Sequence, residues 1–178
     1  MDVLRQLAIH YYDAKAGGPL GCLRSMRQED IQQVQHKFIT TSQEQQEYMR
    51  LREAVEKMMY RSFLRKGGKP KQSFAYYFCV GKKEILKRYY TNPASIAIPI
   101  SYFDPSVISF TYCDSFLTYS RTDNHPTRRK LYTVDEIGKV IDDYGVDFDE
   151  DDYMALIEMQ LWDTTPLYNF CRDNGLVD

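Results

Sequence analysis

The stretch from Ser42 to Phe63 places the tightest limit on this chain, because Tyr48, Leu51, Ala54, Val55, Met58, Met59, Ser62 and Phe63 recur along it as the stripe of an amphipathic helix. Ser42-Gln43-Glu44-Gln45 fits a capping box at its start. Gly67-Gly68 ends the pattern and Pro70 blocks its continuation, so the sequence predicts a helix of about 23 residues, roughly 35 Å long. An element of that length can lie across a whole sheet.

Past this helix the period changes. Phe74-Ala75-Tyr76-Tyr77-Phe78-Cys79-Val80 is short, aromatic and closed by Gly81, as a buried strand would be. Ile96 to Ile100, Val107 to Tyr112 and Phe116 to Tyr119 are rich in β-branched or aromatic residues and are divided by Pro105 and by Asp114-Ser115, so they read as further strands. Tyr153 to Trp162 carries apolar residues at both parities, which suits a buried strand or a helix, and the strand is preferred. Helices are expected at Val3 to Tyr12, where Val3, Leu4, Leu7, Ala8 and Tyr11 fall at helical spacing, and at Gln28 to Phe38. Thr133 with Glu136 caps another helix that runs through Ile137, Val140 and Ile141 to Gly145, and Pro166 at the first position opens a short one over Thr165 to Cys171. A helical part over residues 1–67 before a sheet-rich part over 73–165 is an α+β order. The expectation is a single α+β domain over residues 1–178, with the N-terminal helices packed on an antiparallel or mixed sheet.

A chain of 178 residues with 43% hydrophobic and 14% aromatic content can bury one core and is not disordered. Its apolar stretches fall far short of the roughly 20 residues of a membrane helix. The first residues, which include Asp2, Arg5 and Asp13, lack the pattern of a secretory signal, so the expected location is the cytoplasm, with no membrane partner. Cys22, Cys79, Cys113 and Cys171 form no Cys-x-x-Cys pair, and His10, His36 and His125 are equally scattered. Reduced thiols and no metal site are expected.

Charge is uneven along the chain. Residues 1–93 hold 17 Lys/Arg against 9 Asp/Glu and the remainder 6 against 16, although the formal net charge is only −2. Arg61, Arg65, Lys66, Lys69 and Lys71, then Lys82, Lys83, Lys87 and Arg88, interleave with Phe63, Phe74, Tyr76, Tyr89 and Tyr90, and Arg65, Lys66, Lys82, Lys83, Lys87 and Arg88 are the candidate contacts. Basic groups that neutralise phosphates beside aromatic faces that stack on bases suit single-stranded nucleic acid. The competing expectations are mutual attraction of the two halves within one fold and a basic surface that contacts an acidic protein.

Asp147, Asp149, Asp151 and Glu158 stand at positions 1, 3, 5 and 12 of a calcium-loop frame, but position 6 is Asp152 where a Gly is needed and Gly145 breaks the incoming helix, so a solvated acidic turn is expected. There is no Gly-x-Ser-x-Gly elbow, P-loop or Gly-x-Gly-x-x-Gly fingerprint. Cys113-Asp114-Ser115 lies in a turn that could expose a nucleophile, with an ordinary turn cysteine as the simpler reading.

Ser109-Phe110-Thr111 puts a Ser and a Thr on one face of a strand, and Glu158-Met159-Gln160 does the same for a carboxyl and an amide. With the aromatic strand Tyr76-Tyr77-Phe78, this looks like the bare skeleton of a mono-ADP-ribosyltransferase. That resemblance implies a split sheet, NAD as cofactor, Tyr77 where such enzymes more often carry Arg or His, a Ser/Thr position at Ser109 and Thr111, and Glu158 as the catalytic acid. Separately, Arg65-Lys66-Gly67-Gly68-Lys69-Pro70, Ile108-Ser109-Phe110-Thr111-Tyr112 with Asp114-Ser115, and Gln160-Leu161-Trp162-Asp163 before Pro166-Leu167 resemble a family of small uncharacterised bacterial proteins. That second resemblance implies a bacterial cytosolic origin and no particular activity. The leading expectation is a module that binds another protein or a small ligand, without a cofactor. The alternatives are an NAD-dependent ADP-ribosyltransferase-like enzyme and a single-stranded nucleic-acid binder.

Overall fold

The computed structural model of the chain describes residues 1–22, 41–146, 148 and 156–177. The long helix, α1, spans Ser42–Arg65. Its capping box lies one residue earlier than the spacing suggested: Thr41 adopts the extended backbone of an N-cap, its hydroxyl accepts the Glu44 N–H at 3.2 Å, and the Glu44 carboxylate accepts the Thr41 N–H at 3.1 Å. At the other end Gly67 takes a φ of +85°, and the Gly68 N–H returns to the Phe63 carbonyl at 3.0 Å. A Cβ on Gly68 would stand 2.5 Å from the Phe63 ring, so this close approach requires glycine.

Among the described residues the strands are β1 (Leu7–Asp13), β2 (Tyr76–Val80), β3 (Pro93–Pro99), β4 (Ile108–Tyr112) and β5 (Ile157–Leu161). They form one antiparallel sheet in the order β3-β1-β2-β5-β4. With α2 (Ser115–Ser120), α3 (Val134–Tyr144) and α4 (Thr164–Asp173), the fold is α+β in a single domain. No helix among the described residues is long and apolar enough to cross a membrane.

Three elements correct the sequence reading. Val3 to Tyr12 is not a helix but a short 3₁₀ turn, Val3–Arg5, followed by β1. A strand buried on both faces is apolar at both parities, and such a run also satisfies helical spacing; Ile9, Tyr11 and Tyr12 resolve the ambiguity toward a strand. Phe116 to Tyr119 lies in helix α2, because the Asp114 side chain accepts the Leu117 N–H at 3.0 Å and caps the segment. Pro166 is two residues inside α4, which Asp163 caps from one residue before Thr164. The helix expected at Gln28 to Phe38 and the acidic turn around Asp147 to Asp152 lie outside the described residues, apart from Phe148.

The sheet divides its side chains between two faces. Ala8, Tyr12, Phe78, Ile98, Phe110, Ile157 and Met159 join Ile137 and Ile141 of α3 and Leu167 and Cys171 of α4 in the main apolar core. On the other face Val55, Met59 and Phe63 of α1 cluster with Ala75, Leu131 and Trp162, while Ile9, Tyr11 and Cys79 form a smaller group. Between those two clusters the second face is polar.

The ladder between β1 and β2 is the weak seam of the sheet. It pairs only Ala8 with Val80 and Ile9 with Cys79, whereas β1 pairs with β3 along its whole length. Beyond Ile9 a side chain takes over from the backbone. The His10 Nδ1 lies 2.8 Å from the Tyr77 carbonyl and must carry the proton there, since a carbonyl only accepts.

Candidate functional site

The strand register brings the polar residues together. On β5 Glu158 lies opposite Cys79 of β2 and Thr111 of β4, and Gln160 lies opposite Tyr77 and Ser109. Residues two apart on a strand share a face, so Tyr77, Ser109, Thr111, Glu158 and Gln160 occupy one surface of three adjacent strands. Ser109, Thr111 and Gln160 are fully buried and Glu158 is 7% exposed.

A directional relay fixes Glu158. The Trp162 indole can only donate, and it does so to Ser109 Oγ at 2.9 Å. Ser109 then gives its own proton to Gln160 Oε1 at 2.8 Å, which turns the Gln160 amide so that Nε2 donates to Thr111 Oγ1 at 3.1 Å and to Glu158 Oε1 at 3.0 Å. Ser109 thus acts on Glu158 only through Gln160, and the Thr111 hydroxyl shares the same amide.

Burial pushes the Glu158 carboxyl up to about 8, and the neighbouring Asp114 carboxylate acts in the same direction; the Arg52 charge, the Ser115 hydroxyl and the Gln160 amide oppose them. At neutral pH this side chain is mostly a carboxylic acid, able to donate a hydrogen bond. Asp114 and Ser115 reach it because Cys113, at φ +74°, turns the chain sharply from β4 into α2. That turn buries the Cys113 thiol, which burial and Asp114 push above its ordinary value, so it is not an exposed nucleophile.

Helix α1 adds two groups that the sequence reading did not single out. The Tyr77 hydroxyl donates to Glu56 Oε1 at 2.8 Å, and the Arg52 guanidinium lies 4.2 Å from the centre of the Tyr77 ring. Burial, with the Glu56 and Glu158 carboxyls, raises Tyr77 well above the usual phenol range despite Arg52, so Tyr77 keeps its proton. Arg52 also donates to the Tyr48 hydroxyl at 3.2 Å and remains charged. The available signal was placement: Gln45, Tyr48, Arg52, Val55, Glu56, Met59 and Phe63 follow one another at helical spacing, and Gln45 and Glu56 are buried while Leu51 and Met58 are exposed. The inward stripe of α1 therefore contains charged residues, and a stripe drawn by hydrophobicity alone shares Val55, Met59 and Phe63 with it but spreads onto the exposed Leu51 and Met58.

The basic residues are placed differently. Lys66 Nζ lies 2.6 Å from Glu136, and Lys82 and Lys87 both pair with Glu84, at 3.1 and 2.7 Å. Arg88 covers the ring of Tyr89, and Arg65 acts on Tyr119. Lys83 has no exposed surface, and Phe63 and Tyr76 belong to the interior, which removes three members of the expected surface. Among the described residues no group of three His, Cys, Asp or Glu side chains is placed to hold a metal ion. A scan against protein-family models finds no match, and neither does a search of curated proteins or of solved structures.

Proposed function

We propose that the protein is a small-ligand-binding module whose site is the polar face around Glu158, with Tyr77 and Arg52 beside it and the Trp162–Ser109–Gln160 relay holding the acid in place. The observation that carries this reading is a buried Glu158, held by the Gln160 amide at 3.0 Å on the strand face it shares with Tyr77, Ser109 and Thr111. A carboxyl in this position weakens the fold whenever it ionises, and a glutamine would fill the same volume without that penalty. Perturbed acids gather where a proton or a strong donor is needed. The test is an amide NMR titration of the full chain with ribose, succinate, inorganic phosphate and NAD. At least one should shift the Tyr77, Thr111 and Glu158 signals, and Glu158→Gln should weaken that binding. If no probe moves those signals, the reading falls.

An NAD-dependent ADP-ribosyltransferase-like activity is the second reading. It is favoured by the meeting of Tyr77, Ser109, Thr111 and Glu158 on one face, whereas the five strands form one continuous sheet and not the split sheet that the resemblance implies. It needs Glu158 ionised, so nicotinamide release from NAD should rise as the pH climbs through about 8 and vanish in Glu158→Gln. A rate that is flat across that range would discard it.

A further inference from the structure

Resting on that reading, we propose that Arg52 is an anion receptor: the ligand of the Glu158 face carries a carboxylate or phosphate group that docks on the Arg52 guanidinium away from its Tyr48 contact. A guanidinium has five N–H donors in a planar fork. Tyr77 covers its face at 4.2 Å and Tyr48 takes one donor at 3.2 Å. No carboxylate of the described residues lies within ion-pair distance of it, as is also the case for Arg61, Arg65 and Arg129, whereas Arg5, Arg50, Arg121, Arg128 and Arg172 each hold one. Glu56, one turn further along α1, is within reach of an arginine at this spacing, but its Oε1 accepts the Tyr77 hydroxyl. Among the described residues the charge is therefore oriented on an aromatic shelf without an ion pair in contact, although the Glu158 and Asp114 carboxyls act on it from further away. The two remaining sides of the fork match a carboxylate or a phosphate through paired N–H···O bonds.

The neighbouring acid completes the site. Arg52 is one of the groups that favour the ionised form of Glu158, and an anion on Arg52 cancels that influence. Binding should then draw a proton onto Glu158 at a pH near or just above 8, and none at pH 6, where Glu158 already carries one. The bound oxyanion would have a charged fork on one side and a carboxylic acid donor near it.

The experiment compares the native chain with Arg52→Lys and Arg52→Gln by amide NMR titration with sodium phosphate, sodium succinate and ribose, at ionic strength fixed with sodium chloride. Phosphate or succinate should shift the Tyr48, Arg52, Tyr77 and Glu158 signals, and the preferred one identifies a phosphoryl or a carboxylate ligand. Arg52→Lys should weaken binding by about tenfold or more and Arg52→Gln should abolish it. Calorimetry of the bound anion in buffers of different ionisation enthalpy should show proton uptake near pH 8 that disappears in Glu158→Gln. Equal anion binding to native and Arg52→Gln would overturn the proposal, and if that variant does not fold, equal binding to Arg52→Lys does the same. Ribose binding without either anion would end the anion assignment and leave the Glu158 site standing, while no binding by any probe ends both.

Discussion

On one face of the sheet Ala8, Phe78, Ile98, Phe110 and Met159 are each 2% exposed or less within a single apolar cluster; on the other face the same strands bury Ser109, Thr111, Glu158 and Gln160 to nearly the same degree. Equal burial therefore conceals two kinds of energetics. The first face is stabilised by volume, since each side chain removes apolar surface from water and fills space that would otherwise be void. The second is stabilised by satisfaction, since each polar atom is tolerable only while its partner stays in place. The proposed ligand site would account for a polar arrangement where apolar residues would fit.

The strongest way to probe the contrast is to remove volume from the apolar face. Phe110→Ala should lower unfolding free energy by about 3–5 kcal/mol in urea titrations, because the ring has no exposed surface and its neighbours cannot close the gap. A loss below about 1 kcal/mol would mean that this face is loosely packed. A second probe sits at the end of β1. There Asp13 accepts N–H bonds from Lys15 and Ala16 at Oδ1 and from Thr91 and Asn92 at Oδ2, tying the turn after β1 to the start of β3. Burial alone would raise this carboxyl, but those donors outweigh it and hold it below its ordinary value. A lowered acid stabilises the fold at pH values above its unfolded pKa and loses that contribution as the pH falls through its folded one. Asp13→Asn should cost about 1.5–3 kcal/mol at pH 7, with the gap closing toward pH 3.

Glu158 has the opposite sign. Its folded carboxyl is raised from 4.5 to about 8, so the folded state binds more protons than the unfolded state between those values. Stability should therefore decline as the pH rises through that window, by at most about 1.4 kcal/mol per pH unit from this group. Unfolding of the native chain and Glu158→Gln at pH 5, 7 and 9 should show the variant gaining on the native chain at each step. Parallel curves would mean that Glu158 is not a proton-bearing acid and that the two faces differ less than their composition suggests.

What the sequence revealed was pattern, and what it concealed was which way each pattern faced. The long helix, the aromatic strand ending at Val80 and the helix capped by Thr133 were legible because caps and glycine stops bracket them. The segment Leu7–Asp13 was not, because a strand buried on both faces and a helix share the same apolar spacing. Within the site, Tyr77, Ser109, Thr111 and Glu158 could be named from alternation along single strands. Their meeting depends on the order β2-β5-β4, which no local pattern encodes. Arg52 and Glu56 were missed because the hydrophobic stripe, right at Val55, Met59 and Phe63, also took in Leu51 and Met58, both exposed at 40% or more, and passed over the charged residues between them. Their burial is decided by the polar strand face beneath, a tertiary property.

The smallest expected effect separates the ring of Tyr77 from its hydroxyl. Tyr77→Phe removes the donor at 2.8 Å from Glu56 but keeps the aromatic face under Arg52. Glu56 Oε1 then retains a longer contact with the Ala75 N–H at 3.5 Å, so the loss in stability should be about 1 kcal/mol, the usual net value of one hydrogen bond. If the ring is the shelf that orients Arg52, phosphate or succinate affinity should change by less than about threefold, since a cation over phenylalanine keeps most of its attraction. A tenfold loss of anion affinity with only a small change in stability would mean that the hydroxyl reaches the ligand itself. Tyr77 would then move from the support of the site into the site, and the polar face would have to be redrawn around its phenol rather than around Glu158 and Arg52.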